Sequence, residues 1–164
     1  MIIKRMKTDH VTNPLGFTLS APRVSWVTED TTGKARAQAA ARVEVAADAQ
    51  FNTMLYDSGR RTDIDSLAFP LPLELTPCTR YYWRVTVWAD NGETVRSEPG
   101  WFETAKMDQP WQAEWITPDW ENKKIHPLLR KEFTLPAGAV SARAYVSGLG
   151  VYKLELNGKR VGDE

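Results

Sequence analysis

The sequence holds a single cysteine, Cys78, among 164 residues, which excludes an internal disulfide and any cysteine-rich metal cluster. No neighbouring histidine marks Cys78 as an activated thiol, so it reads as a small, half-buried residue just before a strand. Histidine is almost as scarce. His10 falls in a terminal arm expected to be mobile and His126 precedes Pro127, so no zinc spacing or nucleophilic triad assembles around either. Net charge is absent too. Lys+Arg and Asp+Glu number 21 each, leaving no electrostatic footprint for nucleic acid or an anionic bilayer, and neither is expected as a partner. No apolar run approaches the roughly 18–20 residues that span a membrane. The basic start, residues 1–7, reaches Asp9 without an apolar core, so this chain carries no secretory signal and a cytoplasmic location is expected. Long amphipathic helices, internal repeats and low-complexity tracts are also missing. Gly148-x-Gly150 lacks both the phosphate-loop pattern and a following helix, and no cofactor is expected.

What the sequence does have is short alternating segments punctuated by Gly, Pro, Asn and Asp, with 42% hydrophobic residues to build a core. In residues 75–88, Leu75, Tyr81, Trp83, Val85 and Val87 fall on one face, and Tyr82, Arg84, Thr86 and Trp88 on the other. That is the signature of an antiparallel strand with one buried side, turned by Asp90-Asn91-Gly92 into residues 94–96. Further strands are expected at residues 17–19, 23–27, 38–46, 54–56 and 101–104. In residues 38–46, Ala41, Val43 and Val45 point inward, with Arg42 and Glu44 outward. Leu71 and Leu73 form a short edge strand, because Pro70 and Pro72 cannot donate to a ladder. About seven strands in some ninety residues predict an immunoglobulin-like sandwich over residues 12–105.

Residues 106–110 break the alternation and read as a linker. Beyond them, residues 127–136, 141–147 and 151–156 are three more predicted strands. Asn157-Gly158 accepts positive φ at both central positions of a type I′ turn, so the chain folds back at Lys159, with Glu155 opposite Arg160 and Leu154 opposite Val161. The returning strand has barely begun at Glu164. Residues 106–164 are therefore expected to form an incomplete second β-sandwich, jelly-roll-like, either loosely ordered or completed by missing downstream domains or by a neighbouring chain. The fold class is all-β throughout.

Two resemblances follow from these residues. Trp26, the series Leu75-x-Pro77-x-Thr79-x-Tyr81-x-Trp83-x-Val85 and the final Phe102-x-Thr104 resemble a fibronectin type III domain, in which Tyr81 would tie the corner between sheets and Trp26 would be the core indole. The ordered set Trp111-x-x-x-Trp115-Ile116, residues 129–133, residues 142–152 and residues 156–163 resembles the amino-terminal β-sandwich of bacterial α-L-rhamnosidases, glycoside hydrolase family 78, in which such a module precedes that sandwich in many members. The resemblance implies a full-length parent that hydrolyses terminal α-L-rhamnose from glycosides with inversion, a rhamnose-containing glycoside being its substrate. One carboxylic acid protonates the leaving oxygen and a carboxylate activates water across the ring. In the family both lie on a helical barrel several hundred residues downstream, so no residue here is assigned a catalytic role, and the chain is expected to be a non-catalytic accessory region.

Local carboxylate pairs, Glu29-Asp30 and Asp63-x-Asp65, lie in polar turn-like stretches and read as solvated loop acids rather than metal ligands. Tyr82, Trp88 and Trp120 are the aromatics placed outward or in loops. They would stack on a saccharide, or bury against a neighbouring domain of the full protein, the second being favoured. A rival to the accessory reading is an independent carbohydrate-binding or adhesion module built on these same three residues.

Overall fold

A computed structural model describes residues 1–31, 33–34, 37–119 and 126–162. It divides into two compact units, Met1–Glu114 and Trp115–Glu164.

Met1–Glu114 is a two-sheet sandwich whose described residues form nine strands: β1 (Ile2–Thr8), β2 (Leu15–Phe17), β3 (Arg23–Glu29), β4 (Gln38–Ala46), β5 (Met54–Asp57), β6 (Phe69–Pro70), β7 (Arg80–Ala89), β8 (Thr94–Arg96) and β9 (Gly100–Thr104). One sheet has the order β1-β3-β6; the other runs β2-β9-β7-β4-β5, with β8 also paired to β7. Strands β8 and β9 share one edge of β7, β8 along Thr86 to Trp88 and β9 along Arg80 to Trp83. Among the described residues all pairings are antiparallel except β2 on β9, where Leu15 lies against Glu103 and Phe17 against Thr104.

The core forms where the inward residues of the two sheets meet. Trp26, Val43, Val45, Trp83, Val85, Val87 and Phe102 are all at most 2% exposed. At roughly 1.5–3 kcal/mol for each large apolar side chain removed from water, these residues dominate the stability of the unit. Burial of an indole requires a partner for its N–H. Trp26 Nε1 donates to Gln38 Oε1 at 3.1 Å, and Gln38 Nε2 in turn donates to the Ile64 carbonyl at 2.8 Å. Tyr81 stacks on Phe102 with ring centroids 5.2 Å apart, and its hydroxyl oxygen accepts the Thr76 backbone N–H at 2.8 Å, which ties the corner as the sequence suggests.

Several expectations are corrected. The first residues are not a mobile arm: β1 pairs with β3 from Ile2↔Glu29 to Thr8↔Val24, adding a strand ahead of residue 12, and its interrupted alternation hides it because a bulge lies between Lys4 and Lys7. His10 sits in the turn after β1 at φ 68°. The strand expected at residues 17–19 lies at Leu15–Phe17, and that expected at Leu71 and Leu73 lies at Phe69–Pro70. Leu71 still donates its N–H to the Pro22 carbonyl at 3.0 Å, but the flanking prolines allow no further ladder. Cys78 is exposed rather than half-buried, at φ 53°.

In Trp115–Glu164 the described residues contain two strands only, β10 (Glu155–Leu156) and β11 (Lys159–Arg160). Their hairpin has the expected register, with Glu155 opposite Arg160, Val161 N–H donating to the Leu154 carbonyl at 2.9 Å, and positive φ at Asn157 (51°) and Gly158 (74°). The strands expected at residues 127–136 and 141–147 are not formed, and of 151–156 only the last two residues are. A backbone becomes a strand only against a partner, and none is beside these segments among the described residues. The sidedness of the chain is nonetheless present: Arg130 pairs with Glu132, and Lys153 pairs with Glu155 at 2.6 Å, each two residues apart on one side. No described residue of the unit is buried, and Leu128, Leu149 and Val151 are 94%, 89% and 105% exposed.

Candidate functional site

The outward residues of β7 are Arg80, Tyr82, Arg84, Thr86 and Trp88, and strand pairing sets their neighbours row by row. Arg84 lies beside Glu44, which lies beside Asp57; Thr86 lies between Arg42 and Arg96; Trp88 lies between Ala40 and Thr94; Tyr82 is next to Trp101; and Arg80 is next to Glu103. The result is one sheet face built from arginines, aromatic rings and carboxylates.

Its centre is closed by its own side chains. Glu44 lies on the outer face, as the alternation predicts, yet it is only 2% exposed. Arg84 donates to its two oxygens through Nε and Nη2, both at 3.0 Å, and Arg42 approaches at 3.4 Å. The Arg84 guanidinium also lies 4.0 Å from the Phe51 ring centroid, so Phe51, at φ 60°, roofs the pair. The loop carrying Phe51 is fixed by Asp48, whose carboxylate accepts the backbone N–H groups of Gln50, Asn52 and Thr53. Arg42 donates to both oxygens of Asp57, at 2.8 and 2.5 Å. Thr86, also expected outward, is buried beneath this network, and its hydroxyl accepts a hydrogen bond from Arg96 Nε at 3.2 Å.

These contacts decide what the carboxylates can do. The Arg84 hydrogen bonds hold Glu44 below the usual carboxylate range in spite of burial, Arg42 does the same for Asp57, and backbone N–H groups do so for Asp48. Asp63 is depressed by its hydrogen bonds from Arg61, at 2.9 and 2.6 Å, and the Asp65 carboxylate accepts the Leu67 N–H at 2.8 Å. A general acid needs the opposite shift, so these four depressed groups remain ionised acceptors. Among the described residues no group of three or more His, Cys, Asp or Glu side chains is placed to hold a metal ion.

Of the three aromatics singled out from the sequence, Trp120 lies outside the described residues. Tyr82 and Trp88 share a face and are both half-buried, but six residues of strand put them about 20 Å apart, too far for one sugar ring. Trp88 is not a bare platform, since the Arg60 guanidinium lies 4.8 Å from its ring centroid. Trp101, which sequence reasoning left as a plain strand residue, joins Tyr82 and carries the Arg80 guanidinium at 4.0 Å. The i, i+2 alternation beside Phe102 was the signal for it.

Residues 3–108 match the family model of the Rha78A-like, N-terminal immunoglobulin domain, and residues 137–164 match that of the alpha-L-rhamnosidase N-terminal domain. An alpha-L-rhamnosidase of Streptomyces avermitilis is 30% identical over 181 residues, covering 93% of this chain and 18% of the relative. One from an Alteromonas species is 26% identical, covering 91% of this chain and 18% of the relative. The crystal structure of the Streptomyces avermitilis alpha-L-rhamnosidase complexed with L-rhamnose aligns with a TM-score of 0.64 and 34% identity, over 70% of this chain and 12% of that one. An alpha-L-rhamnosidase structure from Dictyoglumus thermophilum aligns with a TM-score of 0.62 and 28% identity, over 70% of this chain and 14% of that one. The chain thus spans about 18% of the length of the curated relatives it matches.

Proposed function

The chain belongs to the family of Rha78A-like N-terminal immunoglobulin domains, and from that premise we propose that it is a non-catalytic accessory region of an α-L-rhamnosidase. The full-length protein removes terminal α-L-rhamnose from glycosides, and the acid and base of that reaction lie outside these residues. The observation that carries the reading is the order of the two family matches along one chain, 3–108 and then 137–164, at the front of relatives about five times longer. The electrostatics agree with it: Glu44, Asp57, Asp48 and Asp63 are held ionised by arginine or backbone donors.

In this role the Met1–Glu114 sandwich is a self-sufficient unit with a closed core. The apolar side of Trp115–Glu164 is covered, in the full protein, by the remainder of the second sandwich. Exposed groups such as Phe133 at 65% and Leu149 at 89% demand such a cover, because contiguous apolar surface in water is costly. The test is release of the aglycone from an aryl α-L-rhamnoside. Full-length protein turns the substrate over and residues 1–164 alone do not; turnover by the isolated chain refutes the accessory reading. Saturable tryptophan quenching of residues 1–114 by rhamnosides, abolished by Trp88→Ala, would favour a carbohydrate-binding module instead.

A further inference from the structure

On the outer face of the large sheet the arginines outnumber the carboxylates that pair with them. Residues 1–114 hold 13 basic and 15 acidic side chains, a net charge of −2, yet five arginines gather on this one face: Arg42, Arg60, Arg80, Arg84 and Arg96. Three of them are spent on Asp57, Glu103 and Glu44. Arg60 and Arg96 make no hydrogen bond or ion pair to a carboxylate among the described residues, Arg96 acting on Glu44 only at longer range. Both are exposed, and both are held in place: Arg60 by stacking on Trp88 at 4.8 Å, Arg96 by its 3.2 Å hydrogen bond to Thr86. A stacked guanidinium keeps its N–H edges free in a fixed orientation, which lowers the entropy lost when an acceptor arrives.

The shape of the surface selects the class of acceptor. Saccharide and other small-ligand sites are concave. Here Arg60 lies over the indole on an open sheet. Two clefts of the unit, one beside Leu73 and Tyr81 and one beside Tyr56 and Phe69, have linings without Trp88, Arg60 or Arg96. An open face of Trp, Tyr and Arg has the composition of a protein-protein contact, in which those residues carry most of the binding energy.

We propose that the sheet face around Trp88, Arg60 and Arg96 docks a carboxylate-bearing protein surface, supplied by the polypeptide that follows residue 164 in the full-length rhamnosidase. Two exposed arginines and one indole make a weak contact between separate molecules. A covalently attached partner needs no more, because linkage holds it at millimolar effective concentration. This inference rests on the accessory reading above and gives it a geometry.

The test is side-chain accessibility. Thr94 is exposed on this face, directly opposite Trp88, and Lys4 is exposed on the other sheet. Thr94→Cys and Lys4→Cys are introduced separately into full-length protein and into residues 1–114, and maleimide labelling of each site is followed by peptide mass spectrometry. Labelling at position 94 is expected to be at least tenfold slower in the full-length protein, with position 4 unchanged. Adding Arg60→Glu and Arg96→Gln restores the fast rate; both arginines are exposed, and glutamine puts no second carboxylate beside the buried Glu44. Equal rates at position 94 in the two proteins overturn the proposal. Protection that survives the double substitution overturns its carboxylate chemistry. Protection of residues 1–114 by polygalacturonate alone shows the face to be a glycan site and also overturns it. Labelling needs no turnover, so a full-length protein without rhamnosidase activity would refute the accessory reading while the docking result still stands or falls by itself.

Discussion

Glu44→Gln isolates the energetics of the outer sheet face. The substitution keeps the side-chain volume and one acceptor oxygen, and removes the charge that Arg84 and Arg42 share at 3.0 and 3.4 Å. Removing one partner from a fully buried ion pair costs about 3–5 kcal/mol. Here the arginine side chains keep 21% and 33% exposure, so water meets part of their demand, and about 2–3 kcal/mol is expected for the Met1–Glu114 unit. For a unit of this size that corresponds to a melting temperature lower by about 10 °C. The pH dependence supplies a second readout. The folded-state pKa of Glu44 is depressed, so its stabilisation is present above the unfolded value of about 4.3 and is lost as pH falls through the folded value. The gap between parent and variant should therefore be full near neutral pH and narrow below about pH 4. Near-ultraviolet circular dichroism melts of residues 1–114 across that range measure both. A neutral-pH loss below about 0.5 kcal/mol, or a gap that stays constant into acid, refutes the claim that this buried pair is stabilising.

Tyr81→Phe keeps the stack on Phe102 but leaves the Thr76 N–H without its acceptor, and about 1–2 kcal/mol of stability should be lost in urea titrations. Trp26→Ala empties the centre of the core and should cost about 3–5 kcal/mol in the same titrations, a large share of the roughly 5–15 kcal/mol that holds such a unit folded. At Gly100 an added Cβ would meet Trp83 Nε1 at 3.1 Å and the methyl group of Met6 at 3.4 Å, so Gly100→Ala should destabilise by about 1 kcal/mol in the same titrations. Hydrogen exchange of residues 1–164 should show slow amides along β4 and β7 and near-complete exchange within seconds to minutes over residues 127–153; equal protection would show that the second unit orders without a partner.

The sandwich was legible where burial is one-sided. Period-2 alternation placed β4 and β7 and separated Tyr81, Trp83, Val85 and Val87 from Tyr82, Arg84 and Trp88, because one face of that sheet is core. The Asn157-Gly158 hairpin was legible because its turn demands those two residues. Strand β1 was not, since its bulge and its Lys and Arg residues break the alternation. Nor was the burial of Glu44: a glutamate on an outward position reads as solvated until the arginine that covers it, 40 residues away, and the phenylalanine that roofs that arginine are placed beside it. The site was legible only in part for the same reason. Sequence singled out Tyr82 and Trp88 as aromatics on one face and the turn that brings Arg96 beside them, but Arg60 joins that face by packing over Trp88 and Trp101 by the pairing of β9 with β7.

The lone parallel pairing has a mechanical consequence. Strand β2 enters near the front of the sandwich, β9 leaves near its end, and the two run side by side in the same direction. Tension applied between Asn13, just ahead of β2, and Ala105, just behind β9, pulls β2 backward and β9 forward, so the hydrogen bonds between them are loaded together in shear rather than opened one after another. Drawn from those two points, the sandwich resists parting at that seam.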